Sequence, residues 1–394
     1  MARYSYLIVG GGMTADAAIG GIRGVDPSGS IGVIGSERHQ PYNRPPLTKA
    51  LWKGESVDTI WRKTNHEGVD FQLGRTAKTL DPRQKIVTDD QGTAHTYERL
   101  LLATGGTPRR LSLDSDRIIY YRTLDDYTKL RELADRGRRF AVIGGGFIGS
   151  EIAAALAINH KDVVMLFHGG GIGGHVYPPD LSRFLDDFYR QKGIELRFPD
   201  SAAAVQPKGA QVALKTERGD ELLVDGVVAG LGIEPNTQLA AAAGLAVDNG
   251  IVVDDWLRTS HPDIYAAGDV ASFHNPALGK RIRVEHEDNA NVMGQAAGEA
   301  MAGKGQPYHH LPFFYSDLFE LGYEAVGDLD ARLETVVDWK EPYREGVVYY
   351  LAQGRVRGVL LWNTWNQVDH ARTLIAEPGP FSAPDLKGRL PAKQ

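Results

Sequence analysis

At 394 residues the chain is long enough for two or three domains, and 42% hydrophobic with 24% charged residues describes a globular protein. A net charge of −6 with no basic block argues against nucleic acid as a partner, and no apolar run is long enough to span a bilayer. Cysteine is absent, which excludes a redox-active cysteine pair, a single reactive thiol and a cysteine-held iron–sulfur cluster.

The first strand, Leu7–Val9, starts close to Met1, which leaves no room for a signal peptide and points to the cytoplasm. It runs into Gly10-Gly11-Gly12 and a predicted helix, Met13–Arg23. In a strand–turn–helix of this kind the first glycine, Gly10, permits the tight turn, and Gly12 lets backbone approach a pyrophosphate. The small Ala15 packs helix against strand, and the helix N-terminus offers N–H donors to the anion. A second strand, Ile31–Ile34, is followed by Glu37, where a carboxylate reaches the 2′-hydroxyl of an adenosine ribose. The proline-stiffened stretch Pro41–Lys49 places Arg44 and Lys49 on either side of its prolines, suited to phosphate or an anionic ring.

Between Phe71 and Leu102 the pattern predicts short alternating strands, ending in the buried run Leu100–Leu102 and the glycine exit Ala103-Thr104-Gly105-Gly106. From Phe140 the first unit is repeated: Phe140–Ile143, then Gly144, Gly146 and Gly149 at the same three turn positions. Its exit, Val227–Asn236 with Gly232, resembles the Ala103–Gly105 exit, so the second unit reads as a copy inserted into the first. Two such motifs suggest two dinucleotides in one protein, the arrangement needed to pass a hydride from nicotinamide to flavin. After the second unit's strand Val163–Phe167 comes His168-Gly169-Gly170-Gly171-Ile172-Gly173-Gly174-His175, with neither the acid of an NAD site nor the arginine of an NADP site. The run is either a nest of N–H groups for a 2′-phosphate or a floppy loop that binds either nucleotide weakly. Asp263–Asp269 reads as a buried strand ending on a carboxylate, and a helix is expected from about Asp288 to Met301. From Pro307 the pattern turns to aromatic alternating strands such as Gly346–Leu351, then a helical piece near Gln367–Ile375 and a loose Pro/Gly-rich tail from Glu377.

Taken together, the two glycine motifs, Arg44-Pro45-Pro46-Leu47-Thr48-Lys49, Ala103-Thr104-Gly105-Gly106-Thr107-Pro108 and Ala267-Gly268-Asp269 resemble the glutathione-reductase-type FAD/NAD(P)H oxidoreductases. Ser316-Asp317-Leu318, Gly322–Gly327 (with Glu324) and Leu361-Trp362-Asn363 are similar to the apoptosis-inducing-factor-like members, beside the oxygenase-coupled ferredoxin reductases. The resemblance implies an α/β fold with two Rossmann-like domains, one inserted in the other, plus an α+β C-terminal domain. The expected divisions are 1–118 with 246–306 for FAD, 119–245 for NAD(P)H, and 307–394.

The same resemblance implies that Gly10, Gly12, Ala15, Glu37, Arg44, Lys49, Thr104, Gly105, Arg122 and Asp269 hold FAD. Gly144, Gly146, Gly149, Glu151 and Gly232 would hold NADH or NADPH. Lys49, near the flavin, would pair with Glu151, while Glu285, His286, Tyr315 and Glu324 line the ring region; Lys49, Glu151 and His286 are the implied catalytic set. A helix beginning just after His286 would aim its positive end at the flavin's carbonyl edge. Relatives carry tryptophan where this chain has Tyr315. The implied activity is hydride transfer to flavin and delivery to an external acceptor: a ferredoxin or rubredoxin, a quinone or oxygen. The other reading is a redox sensor or scaffold, with a long-lived flavin–NAD charge-transfer complex and a possible homodimer.

Overall fold

The computed structural model describes residues 2–113 and 115–390. The chain divides into two units, and the second interrupts the first. Met1–Asn43, Val57–Thr107 and Glu234–Pro312 form one; Arg44–Ser56, Pro108–Ile233 and Phe313–Gln394 form the other.

In the first unit the strands Val69–Leu73, Ile31–Gly35, Ala2–Val9 and Ala94–Leu102 lie side by side in that order, all parallel, and Ile264–Ala266 joins the far side of Ala94–Leu102. Leu7, Ile8, Leu100, Leu101 and Ile264 are wholly buried, as expected of parallel strands covered on both faces. Val69–Leu73 is therefore the third parallel strand. The alternating pattern expected from Phe71 onward is confined to the antiparallel meander Ala77–Asp81, Ile86–Asp89 and Ala94–Leu102. The helix Met13–Val25 packs against the helix Glu287–Met301.

The second unit repeats this plan. Glu195–Arg197, Asp162–Leu166, Arg139–Ile143, Gly226–Ala229 and Ile118–Tyr120 form a five-stranded parallel sheet in that order. A separate meander of Ala202–Lys208, Gln211–Thr216 and Glu221–Val224 precedes the fourth strand, whereas the meander of the first unit runs directly into its fourth strand, Ala94–Leu102. The C-terminal part of this unit is an antiparallel sheet ordered Phe313–Leu318, Leu321–Gly327, Arg355–Trp362, Glu345–Ala352, Glu334–Glu341. Its core stacks Tyr323 on Trp362, centroids 5.8 Å apart, with Tyr177 edge-on to both.

The tail is not loose through Leu390. A capping box, Ser382 with Asp385, starts a short helix Ala383–Leu386, and the Phe381 N–H donates to the Gly354 carbonyl. The Gly388 N–H donates to Asp338, and Leu386 and Leu390 are buried. Two leucines placed among polar and Pro/Gly residues supply the burial that the composition of the segment conceals.

Candidate functional site

The two glycine turns are built by the same contacts. Gly10 has φ +122° and donates its N–H to Ile34 O at 2.8 Å; Gly144 has φ +115° and donates to Leu166 O at 2.8 Å. A Cβ on Gly10 would strike the Ala103 carbonyl, and one on Gly144 the Gly230 carbonyl. Each turn thus needs glycine twice over, for its left-handed backbone and for the approach of the fourth strand's end. Gly12 and Gly146 are the N-caps of the helices Met13–Val25 and Phe147–Ile158, neither with a side-chain cap, so the first-turn N–H groups keep their donors for another acceptor. A Cβ on Gly146 would meet no atom within 4 Å, and Ala15 is fully buried beneath its turn. A Cβ on Gly149 would strike the Gly144 carbonyl, so this third position closes helix onto turn.

In the first unit Gly268 brings Asp269 to the same turn, since a Cβ there would overlap the Thr14 hydroxyl. Asp269 lies in a single 3-10 turn, Gly268–Val270, beyond a strand that ends at Ala266 rather than continuing to the carboxylate. Glu37 accepts from the Tyr42 hydroxyl at 2.5 Å. The hydroxyl and the carbonyl of Thr104 both bond Asn236, and the Gly105 carbonyl accepts from the Asn236 N–H. These two predicted residues are therefore engaged in fastening one exit strand to the other.

His286 is the N-cap residue of Glu287–Met301. Removal from bulk water pushes its imidazole down to about 4, against the opposing pull of Asp269 and Asp288 and a hydrogen bond that the ring donates to the Glu285 backbone, so the ring is neutral at pH 7. Glu285 itself pairs with Arg283 at 2.8 Å.

In the second unit Lys49 and Glu151 meet as expected, Nζ to Oε2 at 2.7 Å, with side chains only 12% and 4% exposed. Two hydroxyls not anticipated from sequence complete the group: Thr48 Oγ1 and Ser316 Oγ each donate to Glu151 at 2.5 Å. The Glu151 carboxylate thereby accepts from three donors. The Lys49 ammonium lies 5.3 Å from the centroid of the Tyr315 ring. Strand alternation sends Tyr315, an exposed ring, and Ser316, 1% exposed, to opposite faces of Phe313–Leu318. That alternation was the available signal for Ser316, just as adjacency to Lys49 was for Thr48.

Arg44 donates to the Arg122 carbonyl at 3.1 Å, and Leu47 O accepts from both Tyr121 and Trp52, so residues 44–53 are tied to this unit. Gly232 has φ +78°, and its carbonyl accepts from the Arg109 N–H. Glu324 lies opposite Tyr315 in the sheet; burial raises its pKa, and its Oε2 has no hydrogen-bond partner among the described residues.

The loop after Asp162–Leu166 is hydrogen-bonded to its surroundings. The Ile172 N–H donates to Asp186, Ser182 bonds the Ile172 carbonyl, and the Gly173 N–H donates to Gly145 O of the nucleotide turn.

Two uncapped helix N-termini, each behind a glycine turn at the carboxyl ends of a parallel sheet, fit two dinucleotides. Comparison with known proteins agrees. Residues 4–296 match the pyridine nucleotide-disulphide oxidoreductase family, and residues within 297–377 match the C-terminal domain of mitochondrion-associated apoptosis-inducing factor. The chain is 33% identical to apoptosis-inducing factor 1 of Dictyostelium discoideum, over 95% of this chain and 78% of that protein. It is 32% identical to putidaredoxin reductase of Pseudomonas putida, over 97% and 94% of the two chains. The solved covalent putidaredoxin reductase–putidaredoxin complex superposes with a TM-score of 0.88 at 31% identity, covering 95% of this chain and 94% of that one.

Proposed function

We propose a division of labour for a chain that belongs to the pyridine nucleotide-disulphide oxidoreductase family and is an FAD-dependent NAD(P)H oxidoreductase. The first unit, with Gly10, Gly12, Ala15, Glu37 and Asp269, holds FAD, and the second, with Gly144, Gly146 and Gly149, holds the nicotinamide nucleotide. For the nucleotides we propose the divisions 1–118 with 246–306, 119–245 and 307–394, which differ from the two compact units in placing 44–56 and 108–118 with FAD, 234–245 with the nicotinamide nucleotide and 307–312 with the C-terminal part. When bound, the flavin accepts a hydride from the nicotinamide and passes electrons to an external acceptor.

The protein's residues orient and tune. The N–H groups behind Gly12 would hold the pyrophosphate of FAD, and those behind Gly146 the pyrophosphate of the nicotinamide nucleotide. The resemblance assigns Lys49, paired with a Glu151 that Thr48 and Ser316 hold in place, to the flavin ring, where its ammonium would favour the reduced, negative form. Neutral His286 caps the helix whose positive end serves the same purpose without adding a titrating charge. The Tyr315 ring supplies an apolar face beside Lys49. The observation that carries this reading is the pair of glycine turns built by the same contacts in one chain, one for each dinucleotide.

The acceptor we infer is a small iron–sulfur electron carrier, by analogy with the putidaredoxin partner of the solved relative. A quinone or oxygen are the competing acceptors, and we place the reaction in the cytoplasm. The match of the C-terminal domain to apoptosis-inducing factor favours a second reading, a slow redox sensor that changes its association state.

Anaerobic stopped-flow reduction separates the two readings. The reductase predicts fast bleaching of the flavin, no persistent far-red band, rapid turnover with a small iron–sulfur protein and unchanged sedimentation. Slow bleaching with a stable far-red band, and an NADH-driven shift from monomer to dimer, would replace it with the sensor.

A further inference from the structure

In a nucleotide-binding unit of this kind the adenosine ribose is read at the end of the second strand, where a carboxylate takes the 2′-hydroxyl or an arginine takes a 2′-phosphate. Here that strand, Asp162–Leu166, is followed by Phe167 and His168, so its own continuation supplies neither group. The structure delivers a carboxylate by another route.

The Asp200 N–H donates to the Phe167 carbonyl at 3.1 Å, and the Glu217 N–H donates to the Ser201 carbonyl at 2.9 Å. Asp200 Oδ1 accepts from the Ser201 and Arg218 N–H groups at 2.9 and 3.3 Å. These bonds stitch the turn between Gln211–Thr216 and Glu221–Val224 to the end of the second strand. Glu217 Oε2 consequently stands 3.6 Å from His168 Nε2. Asp200 and Thr216, each 1% exposed, keep one side-chain oxygen apiece without a hydrogen-bond partner among the described residues, so the corner is rich in acceptors. Arg197, half-buried, is committed to Glu195 at 2.6 Å and Asp220 at 2.8 Å. On the facing loop a Cβ at Gly170 would meet nothing within 4 Å, leaving room for a sugar beside His168.

We propose that Glu217, carried by the meander turn and held beside His168, is the residue that selects NADH over NADPH. Its carboxylate accepts from the ribose 2′-hydroxyl and repels a 2′-phosphate; Asp200 is a positioning residue that shapes the turn. The inference rests on the second unit being the nicotinamide-nucleotide site.

The test is calorimetric titration of the oxidised, FAD-loaded protein with NAD⁺ and with NADP⁺. Wild type binds NAD⁺ about tenfold or more tightly, as expected for one like charge close to the 2′-phosphate. Glu217→Gln narrows that ratio at least about fivefold, chiefly by strengthening NADP⁺, Glu217→Arg inverts it, and Arg218→Ala moves it less than about twofold. A wild-type preference for NADP⁺, or a ratio that Glu217→Gln leaves unchanged, overturns the assignment. So does an Arg218→Ala loss of NADP⁺ binding, which would make Arg218 the reader of a 2′-phosphate. Anaerobic flavin bleaching by excess nucleotide, run on the same proteins, tells the two failures apart. Bleaching with an unchanged ratio removes only Glu217, whereas neither binding nor bleaching removes the nucleotide site and this inference with it.

Discussion

Glu151 is buried with three donors on one carboxylate, and a charge in that position is costly to disturb from either side. Glu151→Gln keeps the shape but leaves the Lys49 ammonium nearly buried without its counter-charge, so we expect a loss of roughly 2–4 kcal/mol in urea denaturation. Pairing the variant with Lys49→Met should restore part of it, with a coupling of about 1–3 kcal/mol; strictly additive losses would mean the ion pair is not the stabilising contact. His286 gives a prediction of opposite kind. Its folded pKa, about 4, lies below the ordinary 6.5, so between those values the unfolded chain binds more protons than the folded one. Stability attributable to this ring is therefore complete above pH 6.5 and falls as pH drops toward 4, by at most about 3 kcal/mol. His286→Gln should flatten that part of the urea-midpoint profile between pH 4.5 and 7, as those midpoints measured on both proteins would show. A wild-type midpoint that is level across the window would place the ring in water.

At the scale of elements the crossing of Met13–Val25 with Glu287–Met301 makes a sharper demand than either helix's own sequence. A Cβ on Gly298 would run into the Ala18 carbonyl, and one on Gly294 would sit 2.5 Å from the Thr14 carbonyl, both unyielding backbone atoms. Gly20 lies in the same first helix with no atom within 4 Å of such a Cβ. Gly298→Ala should therefore separate the helices, costing about 2–3 kcal/mol and loosening FAD, while Gly20→Ala should stabilise by about 0.5–1 kcal/mol. Melting temperature and flavin retention on a desalting column measure both. Equal effects of the two substitutions would show that helix propensity, not the crossing, governs these glycines. The contrast also marks what a sequence can convey. Strand, glycine turn and helix are neighbours along the chain, so Gly10, Gly12, Gly144 and Gly146 were legible. Which helix glycine faces another backbone depends on a residue more than two hundred positions away, and the pattern carries no trace of it. The glycine run 169–174 left two readings open for the same reason, since the side chains that bond it, Asp186 and Ser182, lie on the following helix.

Across the whole molecule the repeat was legible because each copy closes its own local contacts, down to the matching bonds Gly10 to Ile34 and Gly144 to Leu166. The site that depends on distant segments was only half legible. Lys49 and Glu151 were paired through resemblance, whereas Thr48 and Ser316, 103 and 165 positions from Glu151, had only adjacency to Lys49 and strand alternation to mark them. Composition nevertheless settles one property of this chain. The family takes its name from a disulphide, and this chain contains no cysteine, so it has neither a dithiol nor a cysteine-held cluster in which to store a second pair of electrons. Its capacity is that of the flavin alone. Anaerobic titration should then reach full bleaching at about one hydride equivalent of NADH per FAD, with no further uptake, because each two-electron donor fills the single two-electron store. A relative with an active dithiol takes a second equivalent before its flavin is fully reduced. Consumption of that second equivalent here would reveal a redox centre outside the flavin and require another path for the electrons. A single equivalent, followed by reoxidation through two molecules of a one-electron carrier, would make the flavin the point at which hydride chemistry becomes single-electron transfer.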